Sequence, residues 1–203
     1  SRIGQPPTSL MRPLQRLIDL DLVQREIPYG ADENNSKRAL YKIKDPFVRF
    51  WFYVVAPRRS LFVQSSVAAR SQELKKALPY LFSQVWEELC RQAVPLLSSF
   101  LNGEIYGQAG RFWHGQGFEW DVLAKSQDDN TLLIGEAKWT EKKLSASSIY
   151  QLIKEMKGKG VPPISRGPNI KLLYVLFIPE KPKKLSLPPD VKIIDAKEVI
   201  HVV

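Results

Sequence analysis

The stretch "LLIGEAKW", Leu132–Trp139, opens as an apolar run and closes on Glu136, Ala137 and Lys138. Leu132, Leu133 and Ile134 predict a strand covered on both faces, because a short apolar run suits a doubly buried strand. A glutamate and a lysine two residues apart are an unusual end for such a strand. Strand alternation puts Glu136 and Lys138 on one face. Two readings stand for the pair: a solvated strand end, or chemistry.

The neighbouring stretch "GFEWDVLAKS" predicts a second strand, and "SQDDN", Ser126–Asn130, a tight polar turn joining the two. A hairpin centred between Asp128 and Asp129 sets Asp121 opposite Glu136. Side chains that face each other in this way have β-carbons about 4.5–5.5 Å apart. Two carboxylates so placed repel unless something positive lies between them. A divalent cation is the natural candidate, since Mg²⁺ takes carboxylate, water and phosphate oxygens. Lys138 would then hold or polarise the water that attacks phosphorus. Metal, water and lysine together make a hydrolytic phosphodiester site. The competing reading is a surface hairpin with solvated Asp and Glu, and a one-residue bulge would break the pairing.

Helices flank this hairpin in the sequence. In "SQVWEELCRQAVPLL", Trp86, Leu89, Cys90, Ala93 and Leu97 form an apolar stripe within a helix expected over about residues 80–100. Glu87 lies at the flank of that stripe, and two readings stand for it: a group reaching the edge of a site, or an ordinary helix-boundary charge; Glu88 lies on the solvent side. After the hairpin, "SASSIYQLIKEMKGK" predicts a helix capped by Ser145 or Ser147. Gln151 and Lys154 share a face of it, beside Tyr150. Gln151 is a candidate for contacting a phosphate or ordering water; a solvated helix face is the alternative. Strands from "EIYGQAGRFWH" and "IKLLYVLFIP" and a last short strand and helix in "VKIIDAKEVIHVV" complete an α-β-β-β-α-β order. That interleaving argues for an α/β layered fold.

Farther out, "SLMRPLQRLIDLDLV" places Leu10, Leu14, Leu17 and Ile18 at helical spacing, with Thr8 or Ser9 as cap. "LVQREIP" and "RALYKIK" alternate as strands around the polar turn "YGADENNS". Helix, strand, turn, strand is the back half of a winged helix. Asp45 is expected to cap a further helix with Pro46 in its first turn. The aromatic face of that helix, Phe47, Phe50, Trp51 and Val54, reads as packing rather than as a base-stacking platform. Residues 60–80 read as a polar helical connector ending near Pro79.

Composition narrows the function classes. The chain has 203 residues, 44% hydrophobic and 25% charged, and can bury a core. Its one cysteine, Cys90, excludes an intramolecular disulfide and a Cys-based zinc site, and suits a reducing cytosol. With only His114 and His201, a His-rich metal site is also disfavoured. The most apolar segment, Phe47–Val55, carries Arg49 and falls short of the ~20 residues of a membrane helix. The net charge of +9 is uneven: 11 Lys/Arg against 6 Asp/Glu in residues 1–60, 6 against 9 in 61–137, 13 against 6 in 138–203. A basic chain with an acidic middle fits a polyanion binder holding a local carboxylate site.

Taken in order, "WEELC", "EWDVLA", "LLIGEAKW" and "SIYQLIKE" resemble the PD-(D/E)XK nuclease superfamily. The pattern falls on Glu87, Asp121, Glu136-Ala137-Lys138 and Gln151, with Trp120 where a proline usually precedes the Asp. A wider resemblance, carried by "LQRLIDLDLVQREIP", "SKRALYKIKDPFVRFWFYVVAP", "VWEELCR", "GRFWH", "DVLA" and "GEAKW", is to the C-terminal part of archaeal-type P-loop ATPases. It implies a partial winged helix over 1–45, a helical connector over 46–79 and a nuclease-like mixed sheet flanked by helices over 80–203. The start at Ser1, without Met, reads as a cut within a longer protein whose ATPase comes first. The resemblance also implies a nuclease using Mg²⁺ or Mn²⁺ on Asp121 and Glu136, with Glu87 in support, Lys138 assisting the water and Gln151 positioning. Its partners would be nucleic acid, expected to be DNA, and the ATPase domain. The alternative is a binding or ATPase-regulatory module that keeps the fold and has lost cleavage.

Overall fold

The computed structural model describes residues 4, 7–32, 38–114, 117, 119–164 and 170–203. The chain divides into two compact units. One comprises residues 1–27 and 33–78, the other 28–32 and 79–203.

In the first unit α1 (Met11–Asp19) follows a 3-10 turn at Pro7–Leu10, so its N-cap is Leu10 and not Thr8 or Ser9. Leu10, Leu14 and Ile18 form its half-buried stripe. Strands β1 (Val23–Glu26) and β2 (Leu40–Ile43) pair antiparallel, Val23 with Ile43 and Glu26 with Leu40. Of the turn expected at Tyr29–Ser36, residues 33–36 lie outside the described residues, and Pro28–Asp32 belongs to the other unit. Asp45 caps α2 (Pro46–Phe50) as expected, its carboxylate accepting from Val48 N at 2.8 Å, with Pro46 in the first turn.

The helix then widens into a π-helical turn at Trp51–Val55. Its i→i+5 bonding breaks the 3.6-residue phase on which the aromatic stripe was read. Val54 is buried, but Phe47, Trp51, Phe52 and Tyr53 are exposed, so the expected packing face is only half covered. After α3 (Arg59–Gln64), α4 runs without interruption from Val67 to Ala93. Pro79 therefore lies inside this helix, where a connector ending near it was expected. The carbonyl that a proline leaves without its helical partner belongs to the residue four back. Here that residue is Lys75, which is exposed to solvent. Pro95 lies in a 3-10 turn just beyond Ala93, and the helix stops short of the expected residue 100.

The second unit is a five-stranded mixed sheet with helices on both faces. Its strands are β3 (Gly110–Trp113), β4 (Glu119–Lys125), β5 (Thr131–Ala137), β6 (Lys171–Ile178) and β7 (Val191–Asp195), in that spatial order. The first two pairings are antiparallel and the last two parallel. The crossover from β5 to β6 carries α5 (Ala146–Gly158), capped by Ser145, whose Oγ accepts from Ser148 N at 3.1 Å. After β7 comes α6 (Ala196–Val202), opened by a reciprocal Asp195–Glu198 capping box. One core unites Trp86, Cys90, Ala93 and Leu97 of the α4 region with Val122, Leu133, Val175 and Phe177. The opposite core unites Ile149, Ile153 and Met156 of α5 with Trp120, Leu123, Leu132, Ile134 and Leu176. β5 is buried along its whole length, as a central strand covered by helices must be. Among the described residues no helix is long and apolar enough to cross a membrane.

Within β5, Gly135 allows close packing. A Cβ there would sit 3.1 Å from Val122 Cβ, 3.1 Å from the Val175 carbonyl oxygen and 3.2 Å from Phe177 Cε2. Two of these neighbours are core side chains, and the third is backbone of the adjoining strand. Gly135→Ala is expected to cost roughly 1–3 kcal/mol through overpacking. The measurement is a lower urea midpoint at unchanged slope; an unshifted midpoint would contradict it.

Candidate active site

The end of β5 puts an acid where the strand has no solvent. Leu132 and Ile134 face the α5 side, so strand alternation sends Glu136 to that side too. Glu136 is only 2% exposed. A buried carboxylate is tolerated when paired and hydrogen-bonded. Glu136 has two such partners: Lys138 Nζ lies 2.6 Å from Oε2, and Lys159 Nζ bonds Oε1. Lys159 closes the C-terminal end of α5, where a cation also complements the helix dipole. The Lys159 ammonium further donates to the Glu119 carbonyl at 3.1 Å and lies 5.1 Å from the centre of the Trp120 ring.

Asp121 reaches this group by another route than direct cross-strand pairing. The β4–β5 ladder has the expected register, ending at Val122 opposite Gly135. Val122 and Ala124 lie in the α4-side core and Leu123 in the α5-side core. Trp120 joins Leu123 where unbroken alternation would place it with Val122. Alternation is therefore interrupted at Asp121, and the pairing of β3 with β4 shifts register over the adjoining stretch. The expected facing pair Asp121–Glu136 is replaced by a bond across the strand end, Ala137 N donating to Asp121 Oδ2 at 2.9 Å. Lys138 spans the two acids, its Nζ 4.0 Å from Asp121 Oδ2. Burial works against the Lys138 charge, but the hydrogen bond it donates to Glu136 and the charges of Glu136, Asp121 and Glu87 outweigh it and raise its pKa.

Glu87 and Arg91 approach from α4. Arg91 Nη1 donates to the Asp121 backbone carbonyl at 2.9 Å and lies 3.9 Å from Glu87 Oε2. Burial, then the charge of Asp121, push the Glu87 pKa up to about 7, against the opposing pull of Arg91 and Arg111. Glu88, expected on the solvent side, is half-buried. Arg111 pairs with Glu119 and lies 5.4 Å from the Trp113 ring centre.

Beside the carboxylates a cavity of about 60 Å³ is lined by Glu136, Lys138, Leu152, Glu155, Met156, Lys159 and Leu176. Gln151 is not among its walls. That side chain is exposed and donates to Glu155 Oε1 at 2.8 Å. Tyr150 turns to the Ser186 carbonyl, and Lys154 is exposed. Thus Asp121, Glu136 and Lys138 converge, Glu87 is in electrostatic reach of Asp121, and among the described residues Gln151 touches the site through Glu155. Among the described residues no three of His, Cys, Asp and Glu form a ready-made cation cage.

Lys159 and Arg91 were not singled out from the sequence, yet both had a signal. Gln151, Glu155 and Lys159 recur every four residues, as do Glu87 and Arg91, which places each set along one helix face.

Comparison with known proteins adds relatives. A family model, DUF234, described as archaea bacterial proteins of unknown function, matches residues 51–149. An uncharacterized protein of Methanocaldococcus jannaschii is 27% identical over 142 residues. That match covers 70% of this chain and 31% of the relative, so the chain spans about a third of the relative's length. No solved structure matches the chain.

The raised Glu87 pKa has a consequence for stability. Between about pH 4.5 and 7 the unfolded chain releases the Glu87 proton while the folded protein keeps it. Folded stability then falls as pH rises through that window, by at most about 1.4 kcal/mol per unit. In EDTA, Glu87→Gln should remove this decline. Urea midpoints at about pH 5 and about pH 7 should show wild type losing ground to the variant at the higher pH. A constant difference between the two proteins would contradict the assignment.

Proposed function

We propose that the second unit is a PD-(D/E)XK-type nuclease domain that hydrolyses nucleic-acid phosphodiesters, lying C-terminal to an ATPase in a longer protein. The observation that carries this reading is the lysine between two acids: Lys138 Nζ at 2.6 Å from Glu136 and 4.0 Å from Asp121, at the end of the most buried strand. The mixed sheet flanked by helices and the proximity of Glu87 to Asp121 are in keeping with it.

The donor set fits a hard divalent cation. Glu87, Asp121 and Glu136 offer anionic oxygen only, the chemistry of Mg²⁺ or Mn²⁺. Glu87 and Asp121 also repel each other, and a cation would relieve that repulsion. When bound, the cation supplies an activated water and neutralises charge on the phosphate. Asp121 and Glu136 would hold it, with Glu87 in support. The chain's own groups do the rest. Arg91 fixes the backbone of Asp121, and the Ala137 amide fixes its carboxylate. Lys138, half exposed, presents an ammonium to a phosphate oxygen or to the attacking water. In the cation-free protein burial and Asp121 push the Glu87 pKa up to about 7, and a cation beside it would favour its ionised form. Gln151 stands one residue removed, steadying Glu155 on the cavity wall.

The basic flanks support a nucleic-acid substrate, proposed to be DNA by the family resemblance, and the parent ATPase is the proposed partner. A relative more than twice the length of this chain is compatible with such a neighbour. One observation favours the second reading, a non-cleaving DNA-binding or ATPase-regulatory module: both oxygens of Glu136 are already held by lysines.

Incubation with DNA and RNA, with Mg²⁺, Mn²⁺ or EDTA, separates the two. A nuclease should cut only with the cation. Asp121→Ala, Glu136→Ala and Lys138→Ala should each lower the rate at least about 100-fold, the scale of losing a group that stabilises the transition state. Gln151→Ala should stay within about tenfold, the scale of one ordinary hydrogen bond. Metal-dependent cutting that survives Asp121→Ala would sink the site. DNA binding with steep salt dependence and no cutting would establish the binding module.

A further inference from the structure

Two lysines serve one buried carboxylate, and their surroundings differ. Lys138 has two anions beside it, Glu136 at 2.6 Å and Asp121 at 4.0 Å. Lys159 has Glu136 as its one ion-pair partner among the described residues. Two neutral groups also receive it: the Glu119 carbonyl at 3.1 Å and the face of Trp120. It extends from the end of α5 and is about a third exposed to water.

Each oxygen of Glu136 keeps a lone pair beside its lysine bond, but two ammonium groups at one carboxylate repel a divalent cation. Displacing one lysine relieves that repulsion. Moving Lys138 off Glu136 would leave its ammonium beside Asp121, the other carboxylate the cation needs. Moving Lys159 off costs less. A carbonyl, an aromatic face, the negative end of a helix and solvent all remain to receive its charge.

Resting on the reading of Asp121 and Glu136 as a cation site, we propose that Lys159 is a built-in stand-in for the divalent cation. It neutralises Glu136 in the cation-free protein, holds that carboxylate in position, and leaves it when the cation binds. The buried acid is thus never left uncompensated, and the cation binds against an internal competitor. Lys159 is a positioning residue, distinct from Lys138, which stays between the two acids in both states.

Mn²⁺ titration by calorimetry on the full 203-residue chain tests this without any assay of cleavage. Wild type, Lys159→Met, Lys159→Gln, Lys159→Arg and Asp121→Asn are compared at one pH and one salt concentration. Lys159→Met removes the competing charge and keeps most of the side chain. It should bind Mn²⁺ about tenfold more tightly or better, since a like charge close to a cation site disfavours occupancy. Lys159→Gln should do the same, and it carries the test if the methionine variant does not fold. Lys159→Arg retains the charge and should stay within about threefold of wild type. Without Mn²⁺, both neutral variants should melt below wild type, and Mn²⁺ should raise their midpoints more than that of wild type.

Asp121-dependent Mn²⁺ binding that is equal or weaker in the neutral variants would overturn the stand-in role and leave the cation site standing. Absence of Mn²⁺ binding in wild type and neutral variants alike would overturn the cation site, and the stand-in with it.

Discussion

The second unit is organised around the neutralisation of one carboxylate. Glu136 lies at the end of a strand with no exposed residue, where an unpaired charge would cost several kcal/mol even after relaxation. Lys138 and Lys159 each take one of its oxygens. The first comes from the strand itself, two residues on. The second comes from the crossover helix, whose packing through Ile149, Ile153 and Met156 brings its last turn to the strand end. Seating this acid therefore requires the β5–α5–β6 unit to be assembled, and fold and site depend on the same contacts.

The second acid is placed by an irregularity. Unbroken pleating would have set Asp121 squarely across from Glu136. The interruption at Asp121 turns its carboxylate to the amide of Ala137, past the end of the ladder. Arg91 from α4 braces the same residue through its carbonyl. Asp121 thereby stands between the two faces of the sheet, in reach of Lys138 on one side and of the charge of Glu87 on the other. A regular hairpin would have gathered its charges on one face. This one draws groups from both flanking helices.

Legibility in the sequence followed the range of the interaction. The stripe of α4 was readable because helical spacing puts Trp86, Cys90 and Ala93 on one side whatever they pack against. The hairpin register was readable because "SQDDN" closes it tightly, with Ser126 and Asp128 bonding each other at 2.6 Å and Asp129 in the left-handed region. The aromatic residues after Asp45 do not make one covered stripe: Phe47 is exposed, and from Trp51 on the π-helical turn changes the period. Pro79 suggested a helix end because local propensity opposes proline, yet α4 continues through it. Lys159 stayed hidden because it becomes part of the site only when the crossover helix lies down on the sheet.

The amino-acid sequence by itself determined the alternation of strands and helices, the hairpin and its register, and the presence of Asp121, Glu136 and Lys138 around one turn. These follow from backbone periodicity and from turn chemistry, both of which act over a few residues. Only the tertiary structure decided which face each acid takes, that Lys159 shares Glu136 with Lys138, and that Gln151 stays outside the cavity. Those outcomes depend on a break in strand alternation and on where a helix ends against a sheet. Both are settled when distant surfaces pack and a buried charge must find its partner.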